Sequence, residues 1–217
     1  MSGLTALVIG ATGATGTELV KQLIDDHQYS SVVVFSRRPL LLSHPNLTTH
    51  IVDFDNPQSW AHFVQGDVLF SALATTLKQA GSQKEQYKID YTYQYQTAAT
   101  AVANGVANYV LVSAMGANTK SWLFYPRIKG ELDKAVEALP FKQIHIFRPG
   151  FLLRQPDKIR PMEKLGIAII HFFNKLGLFK SQKPLPVDVL AQKMRSVLLN
   201  PAAQQFQVYS LNSIFNL

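Results

Sequence analysis

Ser113, Tyr125 and Lys129 are the residues whose types and spacing could do chemistry together. Tyr125 and Lys129 stand four apart in Tyr125-Pro126-Arg127-Ile128-Lys129, so on a helix both project from one face. An ammonium beside a phenol, together with the positive charge of a bound nicotinamide, favours tyrosinate and lowers the phenol from its usual pKa near ~10. Tyr125 could then exchange a proton with a substrate carbonyl or hydroxyl, while Ser113 fixes that oxygen. A Tyr-x-x-x-Lys pair alone is more often a surface pair than a site. Its weight here comes from a serine closing an apolar strand shortly before it. Other chemistry has less to stand on. The chain has no cysteine, which excludes disulfides, thiolate zinc sites and cysteine nucleophiles. His27, His44, His50, His62, His145 and His171 are scattered without a ligand-like spacing, so no metal is expected.

A tyrosine of this kind needs a redox partner, and the N-terminus offers a place for one. Gly10-Ala11-Thr12-Gly13-Ala14-Thr15-Gly16 follows a strand-like Leu4–Ile9 and opens a helical pattern. Glycines in such a turn let the backbone approach a pyrophosphate, and the helix N-terminus offers N–H groups and a positive dipole end. Near the end of the second strand, where an NAD-preferring protein places Asp or Glu, stands Val34-Phe35-Ser36-Arg37-Arg38. Two arginines suit a 2′-phosphate, so NADP(H) is expected ahead of NAD(H). A surface arginine pair is the alternative. Asp53 could accept from an adenine amino group or simply cap a helix starting near Pro57.

The elements that must position these residues alternate strictly. Strands are expected at Leu4–Ile9, Ser31–Ser36, Thr48–Val52, Asp67–Ser71, Asn108–Ser113, Gln143–Arg148 and Gln207–Leu211. Helices are expected at Ala14–Asp26, Pro57–Val64, Lys84–Ala103, Phe124–Ala138, Met162–Leu176 and Val187–Leu199. That pattern predicts a Rossmann-type, doubly wound α/β fold: a mostly parallel sheet of about seven strands with helices on both faces. A chain of 217 residues, 47% hydrophobic, suits one such domain, with residues 150–200 as a lid or extension on the substrate side.

At these motifs the chain resembles the short-chain dehydrogenase/reductases, in their atypical branch, over nearly its whole length. The matching stretches are the glycine loop, Ala74-Thr75-Thr76, Val112-Ser113-Ala114-Met115-Gly116-Ala117, Lys129-Gly130-Glu131 and Phe147-Arg148-Pro149-Gly150. The resemblance implies NADP(H) over the C-terminal strand edge, with Ser113, Tyr125 and Lys129 in the catalytic positions. It implies a cofactor surface of Gly10, Thr12, Gly13, Ala14, Thr15, Gly16, Arg37, Arg38, Asp53, Phe54, Ala72, Leu73, Ala74, Thr75, Tyr125, Lys129, Pro149 and Phe151. One departure stands out: better-known members add a relay asparagine from the fourth helix, and no Asn lies between Leu77 and Ala103.

The net charge of +7 is concentrated late in the chain, where residues 154–195 hold nine Lys and Arg against three Asp and Glu. Such a segment could attract an anionic small-molecule substrate, an acidic partner or an anionic lipid surface, or could be a solvated basic face. Within it, Leu165, Ile169, Phe172, Phe173 and Leu176 with Lys164 and Lys175 form an amphipathic pattern, read as a cleft lid ahead of a membrane-surface helix. No apolar run is long enough to span a bilayer and nothing at the start reads as a signal peptide, so a cytoplasmic protein is expected. No groove-reading motif points to nucleic acid. Tyr87 and Tyr91 share a helix face, and the small residues Ala98, Ala99 and Ala103 suggest either a monomer or a homodimer through that helix. Two functions compete: an NADP(H)-dependent oxidoreductase, and an NADP(H)-binding redox sensor or regulator with little turnover.

Overall fold

Residues 3–153, 184–198 and 204–217 are described by the computed structural model. They form β1 (Leu4–Ile9), α1 (Ala14–Ile24), β2 (Tyr29–Ser36), β3 (Leu47–Ile51), β4 (Val68–Ser71), α2 (Leu77–Ala80) and α3 (Gln83–Tyr87). A π turn over Lys88–Thr92 joins α3 to α4 (Tyr93–Ala103). There follow β5 (Asn108–Val112), α5 (Phe124–Glu137), β6 (Gln143–Arg148), β7 (Leu152–Leu153), β8 (Leu185–Pro186), α6 (Val187–Ser196), β9 (Phe206–Ser210) and α7 (Asn212–Phe215). The expected helix over Met162–Leu176 lies outside the described residues.

Seven strands make one sheet in the order β3-β2-β1-β4-β5-β6-β9, and every neighbouring pair is parallel. The strands are apolar throughout because both faces are covered, and alternate side chains divide between two cores. Ala6 and Val8 of β1 face one way, joining Val32, Val34 and Val110 beneath α1 and α6. Leu7 and Ile9 face the other, joining Leu69, Tyr109, Leu111 and Ile146 beneath α4 and α5. The Rossmann-type reading therefore holds.

The chain winds from β1 outward to β3, then returns to β4 on the other side of β1 and winds outward again. The switch point lies between β1 and β4, where Ile9 pairs with Ser71. Loops leaving these two strands diverge to opposite faces and open a crevice at their C-terminal ends.

One expected helix is absent. Pro57–Val64 forms two short 3-10 turns, Pro57–Ser59 and Ala61–Phe63. Trp60 between them takes φ −130°, outside helical space. Its indole N–H donates to the carbonyl of Asp53 at 2.9 Å, and its ring is buried against Phe35 and Phe54. Burying that aromatic residue outweighs the continuous helix that the local pattern suggested.

Candidate functional site

The crevice at the switch point is a cleft of about 490 Å³, floored by Gly10, Thr12, Gly13, Ala72, Leu73, Ala74 and Thr75 and bounded by Arg37 and Arg38. Gln79, Ala80, Glu85 and Ile89 close its other side. Where it narrows, Ser36, Phe54 and Leu73 continue its wall.

Its floor depends on glycine. Gly10 leaves β1 at φ +84°, and a Cβ there would lie 2.4 Å from the backbone of Ala72 and Leu73. A Cβ on Gly16 would lie 2.2 Å from the Gly10 carbonyl oxygen. The loop, the first turn of α1 and the strand after β4 are thus packed backbone to backbone, and the phosphate-sized hollow above them is what remains. α1 begins at Gly13, which has no side chain to cap it, and carries no acid in its first turn. Its N-terminal N–H groups and dipole are left to an anion. Thr12 and Gly13 are exposed toward the cleft, whereas Thr15 and Gly16 are buried beneath it and Ala14 is half-buried.

Arg37 and Arg38 are both exposed, and neither pairs with a carboxylate among the described residues. The Arg38 N–H donates to the Ser36 hydroxyl at 3.3 Å, turning the chain at the cleft edge. Asp53 makes a local contact of its own. Its carboxylate accepts from Asp55 N–H at 3.0 Å, an Asx turn, and Asn56, not Asp53, precedes the Pro57 turn. Phe54 is buried against Tyr93, and Tyr93 donates to Asp55, which also pairs with Lys88. A dinucleotide fits these residues: a hollow left above glycines packed backbone to backbone, an uncapped helix N-terminus, and two uncommitted cations at the cleft edge.

Beside this cleft stand the three residues proposed for chemistry. α5 carries Tyr125 in its first turn and Lys129 one turn on, on the face toward β5. Tyr125 is 37% exposed, Lys129 is fully buried, and Ser113 is nearly so. The Lys129 ammonium donates to the Val112 carbonyl at 3.1 Å. Ser113 extends β5 by donating its N–H to Phe147 at 2.7 Å. Its hydroxyl faces the Asp133 carboxyl, yet neither that hydroxyl nor Asp133 Oδ1 has a partner in hydrogen-bonding geometry. Pro149 accepts from Met115 N–H at 2.9 Å, and Phe151, half exposed, follows it in the chain.

The electrostatics of the protein's own groups run against the expected lowering of the Tyr125 phenol, which counted Lys129 and the nicotinamide charge together. The phenol is pushed up to about 12, by burial first and then by Asp90 and Asp133. Burial also lowers Lys129 from the ordinary lysine range, against the pull of the same two carboxylates. Both acids are themselves raised, chiefly by burial. Neither had been marked in the sequence. Asp133 was legible as the i+4 neighbour of Lys129. Asp90 reaches the site only because the π turn carries it there, and nothing in the sequence announces that turn.

Asp90 is locked in place. One carboxyl oxygen accepts from Thr75 N–H of the cleft floor at 3.1 Å. Gln94 donates to the Asp90 carbonyl at 2.8 Å and accepts from the Ser71 hydroxyl at 2.7 Å. Gln86 holds the Thr75 carbonyl at 3.3 Å. Elsewhere, Tyr87, Tyr91 and Tyr95 stack in a ladder along α3, the π turn and α4, with centroids 4.9 and 5.9 Å apart.

A parallel sheet with a glycine-lined crevice at its switch point defines a Rossmann dinucleotide-binding domain. The chain belongs to the NAD(P)H-binding family, whose pattern it matches over residues 10–165. It is 31% identical to Protein HTATIP2 of Rattus norvegicus across its whole length and 90% of that protein. It is 39% identical to the mitochondrial Protein FMP52 of Saccharomyces cerevisiae, covering 69% of this chain and 66% of that one. In fold it is similar to MoeE5 in complex with UDP-glucose and NAD, with a TM-score of 0.70 at 14% identity, covering 98% of this chain and 80% of that one. A short-chain dehydrogenase/reductase superfamily protein from Agrobacterium tumefaciens with bound NAD gives a TM-score of 0.70 at 13% identity, over 95% and 77% of the two chains. The expectation of an NAD(P)-binding Rossmann family is thus borne out, and the solved structures bear out the fold. Among the described residues no helix is long and apolar enough to cross a membrane.

Proposed function

We propose that this chain is an NADP(H)-dependent oxidoreductase that moves hydride between nicotinamide and the carbon of a small carbonyl or hydroxyl substrate. The observation that carries this reading is the meeting of Tyr125, Lys129 and Ser113 beside the glycine-floored cleft. A bound nicotinamide supplies or accepts the hydride; the protein's part is position and protons. The raised phenol of Tyr125 keeps its proton at neutral pH, which suits it as the donor to a carbonyl oxygen becoming an alcohol. Ser113, on turning its hydroxyl from Asp133, donates to the same oxygen. Arg37 and Arg38 hold the 2′-phosphate, and Gly10, Thr12 and Gly13 admit the pyrophosphate. Exposed Met115, Leu123 and Phe151 at the mouth favour a substrate whose carbonyl sits on an apolar body. We place the protein in the cytoplasm, as a monomer or homodimer; most of the lid expected over residues 150–200 lies outside the described residues.

A second reading, a cofactor-dependent regulator with little turnover, is favoured by one observation. Ser113 and Lys129 both direct their polar ends into the protein rather than the cleft. Titration with NADPH, NADP+ and NADH, followed by nicotinamide fluorescence and melting temperature, tests the shared step, since a ligand binding only the native state must raise stability. Failure of every dinucleotide to bind would overturn both readings. A Tyr125→Phe variant then separates them. The enzyme loses turnover of a carbonyl panel by roughly a hundredfold or more while keeping its NADPH affinity. Turnover that survives unchanged removes Tyr125 from the mechanism.

A further inference from the structure

We propose that Asp90 is a positioning residue of the candidate site: it is the counter-ion that keeps the buried Lys129 protonated beside Tyr125, and it ties that charge to the cofactor-facing loop through Thr75. The proposal deepens the oxidoreductase reading, but its central test does not require turnover.

Charge pairing leads to Asp90. The π turn packs directly against α5, and Asp90 and Lys129 are each completely buried. A buried ammonium without an opposite charge gives up its proton. Two carboxylates face Lys129, one from its own helix and one from the π turn. Asp133, on α5, is already engaged: Arg148 of β6 donates to its Oδ2 at 2.9 Å. That pair is neutral in itself. Asp90 has no such cation, so the charge left to balance Lys129 is its own.

The carboxyl group of Asp90 is also underused for a purely structural part. Oδ1 accepts from Thr75 N–H and the Gln86 amide faces the carboxyl, while Oδ2 is buried with no partner in hydrogen-bonding geometry. An orphaned buried oxygen is unfavourable, and a structural tie to Thr75 would need only a neutral amide. What an amide cannot supply is charge. The groups that face this centre are Lys129, Tyr125 and Asp133 on α5, Arg148 on β6 and the Ser113 hydroxyl after β5. Of these, only Lys129 and Arg148 are cations. Thr75 lies on the floor of the nucleotide cleft, so a shift of that loop moves the acid that governs the lysine.

Lysine-labelled full-length protein, with 13Cε and 15Nζ, is titrated by NMR without cofactor. The Lys129 signal is assigned by its loss in Lys129→Arg. In Asp90→Asn the Lys129 midpoint is expected to fall by at least about one pH unit, a tenfold change in proton affinity, and Asp90→Glu is expected to restore most of it. A folded Asp90→Asn protein with an unmoved Lys129 midpoint overturns the proposal. Should Asp90→Asn not fold, 13Cγ-aspartate labelling of the unaltered protein decides: the Asp90 signal must inflect at the Lys129 midpoint, and independent titrations overturn the pairing. In turnover with NADPH and a carbonyl panel, the alkaline limb of the Asp90→Asn rate profile is expected to move down by the same amount. If the unaltered protein turns over no carbonyl, the oxidoreductase reading fails while the lysine titration still judges Asp90.

Discussion

Replacing the loop glycines by alanine separates what the loop does for the fold from what it does for the ligand. At Gly10 an alanine faces two penalties: φ of +84°, worth about 1–2 kcal/mol for an L-residue, and a Cβ 2.4 Å from the Ala72 and Leu73 backbone, overpacking of about 1–3 kcal/mol. A total near 3 kcal/mol lowers the melting temperature by roughly 6–12 °C for a chain of this size. At Gly16 the 2.2 Å contact acts alone, offset by about 1 kcal/mol of helix propensity, leaving a fall of roughly 5 °C. Gly13 is the contrast. Its φ is −81° and its nearest Cβ contact is 3.2 Å, so the apoprotein should melt within about 2 °C of the parent. Yet Gly13 lines the cleft, and a methyl there should weaken NADPH by roughly tenfold or more by lengthening a charge-assisted N–H bond to phosphate. Gly81→Ala, at φ +84° in open space, reports the conformational strain by itself. Thermal melts and nicotinamide-fluorescence titrations of the four variants check the series. A Gly13→Ala protein that melts as low as Gly10→Ala, or binds NADPH as the parent does, would refute the assignment of fold and ligand to different glycines.

Three further outcomes are expected. Changing Arg37 and Arg38 together to alanine should abolish most of the preference for NADPH over NADH, read as the ratio of the two dissociation constants, without shifting the apoprotein's melting temperature; a preserved ratio would place the 2′-phosphate elsewhere. His145 is buried and stacked on Tyr209, and burial pushes it down to about 4 from an unfolded value of 6.5. Its neutral form belongs to the folded state, so stability is complete above the unfolded value and falls as pH drops from 6.5 toward 4, by roughly 3 kcal/mol. Urea melts across that window should show the loss, and a His145→Gln protein should show less of it; equal slopes in the two proteins would discount His145. Arg148→Met should raise the Asp133 carboxyl further and lower the melting temperature by several degrees, since a buried carboxylate then loses its partner. A melt matching the parent's would show that the pair is not coupled to stability.

How much was legible follows the range of each interaction. The alternation of Ala6 and Val8 against Leu7 and Ile9 is hidden by apolarity on both faces, but the uninterrupted run itself announced a buried parallel strand. The glycine loop was legible because its three glycines stand within seven successive residues after a strand, although what holds Gly10 is the distant backbone of Ala72 and Leu73. Trp60 was not, because what breaks the expected helix is a core contact with Phe35, distant in sequence. What raises the Tyr125 phenol was hidden for the same reason. Its cation is a neighbour on one helix, while its burial and one of its two opposing carboxylates come from other segments. The Asx turn of Asp53 was not marked either, although its oxygen closes on the backbone only two residues away.

That π turn sets a limit on how this chain can change length. One residue more than an α-helix needs is folded into Lys88–Thr92, and each residue of a helix accounts for about 100° of rotation. Removing a single residue there would let α3 and α4 run on as one regular helix, with the Tyr93 side still anchored by Phe54 and Asp55. Everything before the excision would turn in phase by that angle, swinging the acid away from the lysine, drawing Ile89 from its core and releasing Thr75 of the cleft floor, while the sheet stayed as it is. Point substitutions grade the site's charge; a one-residue deletion here would remove it in a single step.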